Sequence, residues 1–190
     1  MGSLTITWTL RHQGWAYCAV RDDQGEAVAI ASDITGGPEQ LLRALVALLR
    51  GADEAQAEFE AEPQVFRWFF RQVESKAHIR LVLADDHEAP ADAGTLLWEG
   101  RHPITAFAQA AVSAFDHVAD ELGDEEYASQ WGRPLPRPDL DTLRALVNRS
   151  PTSTPDTDSS EPRRLAPNLR DRSGGMHGGL VNADGACGST

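Results

Sequence analysis

A chain of 190 residues with 41% hydrophobic content and five tryptophans has material for one domain with a sizeable core. Its formal net charge of -12 argues against nucleic acid or an anionic membrane as partner, since both need basic surface. No apolar run approaches the roughly 20 residues of a membrane-crossing helix. The opening MGSLTITWTL lacks a basic segment leading into a long apolar stretch, so the expected location is cytoplasmic.

LTITWTL (4–10) is the first β-rich run. GWAYCAV (14–20) and EAVAIAS (26–32) flank RDDQG (21–25), an Asp/Gly turn that predicts a hairpin. Cys18 lies in this apolar stretch and Cys187 in a glycine-rich tail, a pairing that favours free thiols over a disulfide. TGGPEQLLRALVALLRG (35–51) reads as a helix. Pro38 suits its start, Leu41, Leu42, Leu45, Leu48 and Leu49 form its apolar face, and Gly51 closes it.

AEFEAE (57–62) alternates strictly, with Ala57, Phe59 and Ala61 on one face and Glu58, Glu60 and Glu62 on the other. VFRWFFRQV (65–73) places Phe66, Trp68 and Phe70 together, opposite Val65, Arg67, Phe69 and Arg71. A turn at Pro63-Gln64 would pair Ala61 with Phe66, Phe59 with Trp68 and Glu60 with Arg67. AHIRLVLA (77–84) follows, with Ile79, Leu81 and Leu83 inward and His78 and Arg80 outward. After the polar DDHEAPADAG comes a last strand, TLLWEGR (95–101).

HPITAFAQAAVSAFDHVADELG (102–123) is the strongest helical pattern, with Ile104, Phe107, Ala108, Ala111, Phe115, Val118 and Leu122 on one face. DEEYASQW predicts a short helix and GRPLPRP an extended strap, in which Leu135 packs on the domain beside an anchoring Trp131. DLDTLRALVN predicts a last helix with Asp139 as N-cap. Strands in succession, one inserted helix and helices at the end predict an α+β fold. Its sheet is an antiparallel meander of about six strands with the C-terminal helices packed on it. The domain spans 1–150. Residues 151–190 hold no aromatic residue and no apolar period, which predicts a disordered low-complexity tail. One lysine against sixteen arginines, with abundant alanine, is the codon usage of a GC-rich, bacterial genome and carries no function.

The glutamate ladder has carboxylates about 7 Å apart along one strand face. Hard cations want ligands converging from several loops, so a ladder beside Arg67 and Arg71 reads as a paired, solvated face and no metal site is expected. Asp85, Asp86, His87 and Glu88 cluster after a strand, where catalytic groups often sit, yet no zinc-ligand spacing accompanies them. Neither a nucleophile elbow nor a P-loop occurs, and no cofactor is expected. Phe69, with Val65 and Val73, shares a face with Arg67 and Arg71, so either a helix covers that side or an aromatic–arginine patch is exposed.

Three functions follow as expectations. The first is a non-catalytic interaction module for a basic protein, an immunity- or antitoxin-like inhibitor being one form by analogy, using Glu58, Glu60, Glu62, Arg67, Phe69 and Arg71. The second is an enzyme or small-ligand protein with a pocket between the sheet and the helix at 103–122, lined by His78, Asp85, Asp86, His87 and His102. The third is a regulatory or structural homodimer formed through a sheet edge.

Overall fold

A computed structural model describes residues 3–90 and 93–149; the expected tail at 151–190 and Cys187 lie outside the described residues. The chain is α+β. Strands β1 (Thr5–Leu10), β2 (Trp15–Arg21) and β3 (Glu26–Ser32) precede helix α1 (Gly37–Leu49). Strands β4 (Glu54–Ala61), β5 (Gln64–Val73), β6 (Lys76–Ala84) and β7 (Thr95–His102) follow, then helices α2 (Ile104–Trp131) and α3 (Arg137–Arg149).

The single meander of about six strands is corrected. Two antiparallel sheets form instead, one in the order β1-β2-β3 and one in the order β4-β5-β6-β7. The inserted α1 is the physical reason. It carries the chain from β3 over to β4, which packs beside β3 without sharing a ladder and starts the second sheet.

Trp8 joins the two sheets. Its ring packs edge-on to Phe59 of β4 at 5.9 Å, against Phe115 of α2 at 5.5 Å and edge-on to Trp131 at 5.4 Å. Phe107 of α2 meets Trp68 and Phe70 of β5, so α2 packs on the inner face of the four-stranded sheet at that point. The predicted leucine face of α1 is buried at Leu41, Leu42, Leu45 and Leu48. Helix α2 contains both predicted helices, merged across Gly123, which takes a non-helical left-handed φ of 74°. Trp131 and Leu135 are both buried, fastening the proline-rich strap. Helix α3 begins at Arg137, two residues before the expected N-cap, so Asp139 lies inside its first turn and pairs with Arg43 of α1.

The β4–β5 register also differs from expectation. The turn falls at Glu62-Pro63, pairing Ala61 with Gln64, Phe59 with Phe66, Ala57 with Trp68 and Glu58, not Glu60, with Arg67. The displacement is two residues along β5, so every side chain keeps its expected face.

Candidate functional site

On the outer face of the four-stranded sheet, the register sets out cross-strand rows. One row reads Glu54, Arg71, His78 and Arg101; the next reads Gln56, Phe69, Arg80 and Glu99. A third begins with Glu58, Arg67 and Val82. The rows have different fates.

Arg67, Val65, Val82 and Ala84 are buried on this face, although none of the described helices makes the contacts of a cover there. The loop after β6 folds back as their cover. Arg67 holds it: Nη1 donates to the carbonyls of Ala89 at 2.8 Å and Pro90 at 3.1 Å, and Nη2 donates to that of His87 at 3.1 Å. Its Nε donates to Glu58 Oε1 at 3.0 Å, so four of the five guanidinium N–H donors are engaged. His87 meets Glu60 from the same loop, and the Asp86 carboxylate accepts the Ala89 amide at 2.8 Å. Gly94 ends the cover where only glycine fits: a Cβ there would stand 2.5 Å from the Leu83 carbonyl, at a φ of 129°.

The first two rows stay open. Arg71 and Glu54 form an exposed pair at 3.3 Å, and His78 meets Glu99 at 3.2 Å. Phe69 is half-buried, with the Arg80 guanidinium over its ring at 5.3 Å from the centroid. Lys76, Arg80 and Arg101 are exposed, and none forms an ion pair among the described residues. Three depressions, of about 890, 610 and 260 Å³, meet here, and His78 lines all three.

The largest depression extends past β7 to helix α2 and to the β2–β3 turn. A buried pair is built into that end. Asp22, its side chain 1% exposed, accepts the amides of Gln24 at 2.9 Å and Gly25 at 3.1 Å through Oδ1, the turn bonding expected of RDDQG. Its Oδ2 lies 2.8 Å from His102 Nε2, and Trp98 Nε1 donates to Oδ1 at 3.4 Å. Burial pushes the Asp22 carboxyl up, but bonds from His102, the Gln24 amide, Trp98 and the Gly25 amide together hold it below its ordinary value. An ionised carboxylate only accepts, so Nε2 of His102 carries the proton. The imidazole stacks on the Trp98 indole at an interplanar angle of 7°. Gly100 between them permits this, because a Cβ would come within 2.7 Å of the indole and 2.9 Å of His102 Nε2.

The expected site residues therefore separate. Phe69 and Arg71 lie on the open rows. Glu58, Glu60 and Arg67 are joined to one another's strand and to the covering loop, and Glu62 is exposed in the turn. His78 and His102 share one cleft, while Asp85, Asp86 and His87 do not line it and belong to the loop at the other end of the sheet. Sequence reasoning did not single out Asp22, Lys76, Trp98, Arg80 or Arg101. The alternation of AHIRLVLA does place His78 and Arg80 outward, which is the one signal that pointed to the open rows.

Among the described residues, no group of three or more His, Cys, Asp or Glu side chains gathers to hold a metal. No described helix is long and apolar enough to cross a membrane. No family model, curated protein or solved structure matches the chain.

Proposed function

We propose that the chain is a non-catalytic interaction protein whose partner docks on the open rows of the four-stranded sheet, around His78. The observation that carries this reading is the placement of Lys76, Arg80 and Arg101. Three cations without acid partners among the described residues stand at one end of one sheet face, beside half-buried Phe69, in a chain of net charge -12. An arginine-rich rim around an aromatic is the composition of binding surfaces.

The sequence expectation of a basic partner rested on the chain's acidic balance, with Glu58, Glu60 and Glu62 as the candidate surface. Two of those carboxylates already face Arg67 and His87, so less of their charge is free to steer a partner. The open rows favour a partner that presents carboxylates. Electrostatic steering acts through such unpaired surface charges.

The test compares three full-length baits in native lysate by quantitative mass spectrometry. They are the parent chain, a Glu58→Gln/Glu60→Gln/Glu62→Gln variant and a Lys76→Glu/Arg80→Glu/Arg101→Glu variant. The reading expects a stoichiometric partner on the first two and its loss from the third. Loss from the glutamine variant with retention on the charge-reversed one returns the site to the acidic strand.

A second reading, a small-ligand site or enzyme, draws support from the 890 Å³ cleft and the oriented His102. His102 Nδ1 has no hydrogen-bond partner among the described residues, the state in which an imidazole held by a carboxylate accepts from a ligand.

A further inference from the structure

The three cations of the open rows are not equivalent. Arg80 lies with its guanidinium over the Phe69 ring, 5.3 Å from the centroid. Lys76 and Arg101 have neither a ring nor an acid partner among the described residues. An arginine braced on a ring has already given up rotamer freedom, so less is lost when it binds. Stacking occupies the flat face of the guanidinium and leaves its N–H edge to donate. Among the described residues no acceptor engages that edge.

The surroundings of Arg80 select by charge. It lines the depression of about 610 Å³, whose other ionisable lining residues are Glu54, Arg71 and His78. Glu54 pairs with Arg71 at 3.3 Å, which leaves the positive charge of Arg80 uncompensated there. Glu99 stands opposite Arg80 in the register but is bound to His78 at 3.2 Å. The largest cleft differs, because Asp22, Asp23 and Glu99 stand against Lys76 and Arg101, and charge selects no occupant there.

The form of the depression selects by size. Its charged lining and Phe69 come from one face of three neighbouring strands, β4, β5 and β6. A tightly bound small molecule is enclosed over most of its surface, which a one-sided depression does not do. A side chain of a larger partner is instead closed over by the rest of that partner.

We infer that Arg80, braced by Phe69, anchors the docking face by receiving an aspartate or glutamate side chain of the partner. Apolar atoms flanking that carboxylate rest on Phe69, which keeps part of its ring exposed. This rests on the interaction reading above and names the residue that reads the partner.

The test titrates capped dipeptides at millimolar concentration into the ¹⁵N-labelled full chain. It follows the Arg80 Nε–H signal and the amides of Phe69 and Arg80. The parent probe is acetyl-leucyl-glutamate amide. Acetyl-leucyl-glutamine amide removes the charge, and acetate removes the apolar neighbour. Arg80→Lys keeps the charge but loses the planar fork, and Arg101→Gln removes a cation outside this depression. The amide spectrum reports whether each variant is folded.

The inference expects the glutamate probe to move the Arg80 Nε–H signal. The glutamine probe and acetate should bind more weakly, by about tenfold or more. Arg80→Lys should weaken the glutamate probe severalfold, and Arg101→Gln should leave it unchanged. An unmoved Arg80 signal, equal binding of the glutamine probe or of acetate, or equal binding by folded Arg80→Lys would overturn it. Loss of the probe in Arg101→Gln would do the same, since the anchor would then lie elsewhere. Failure here with partner loss in the charge-reversed bait sinks the Arg80 anchor alone. A probe seated on Arg80 while that bait keeps its partner sinks the wider docking reading instead.

Discussion

His102 and Asp22 meet at 2.8 Å although 80 residues separate them in the chain, and their bond ties the turn of the three-stranded sheet to the last strand of the four-stranded one. The carboxylate is nearly inaccessible and accepts from two turn amides and an indole as well. Asp22→Asn removes the charge from these bonds and leaves an amide NH₂ among donors. The expected loss is about 1–3 kcal/mol at neutral pH, read from urea denaturation. The pH dependence has a fixed sign. A carboxyl held below its ordinary value of 3.8 in the fold contributes stability that is present above that value. The contribution is lost as pH falls through the lower folded value, so parent and variant should converge in strong acid.

Arg67 should matter more than its place on an outer sheet face suggests. Its side chain is 6% exposed and binds one carboxylate and three carbonyls. Arg67→Ala strands those acceptors and frees the loop, with an expected cost of about 3 kcal/mol. Hydrogen exchange should rise sharply at 85–90 and little in β1 or β2. A uniform rise would mean that the loop is not what Arg67 holds.

Gly100→Ala tests the ring stack. The added methyl would overlap the Trp98 indole and His102, so one ring must move. A destabilisation of about 1–3 kcal/mol is expected, with a change in tryptophan emission. Gly25→Ala is the control, because a Cβ there meets nothing within 4 Å.

Cys18 should be inert in the fold. Burial in the β2 core pushes its thiol up to about 12, so almost no thiolate exists at pH 8. In a Cys187→Ser background, a thiol reagent should label Cys18 only after unfolding. Labelling of the native chain at the rate of a free thiol would contradict the packing of β2 against the core.

Element positions were legible because each element carries its own period. The helix at 102–123 and the alternation from Ala57 to Val73 both fold as their patterns dictate. The β4–β5 register was not legible, since a shift of two residues keeps every face and the alternation cannot tell Glu58 from Glu60 as the neighbour of Arg67. Nor could a period show that β4 starts a second sheet. The cover over Val65 and Arg67 comes from a loop without periodicity, held by backbone carbonyls that no residue type announces. Asp22 was legible as a turn residue, and its second bond to His102 was not, because it depends on how two sheets pack.

The central claim is that binding occurs at the open rows around His78. The most direct test is hydrogen exchange on the full chain, alone and with the captured partner. The account predicts protection at 69–80 and 99–102, with 58–62 and 85–90 unchanged. Protection confined to 58–62, or to the part of α2 from Asp116 to Glu126 where six carboxylates fall, would contradict it.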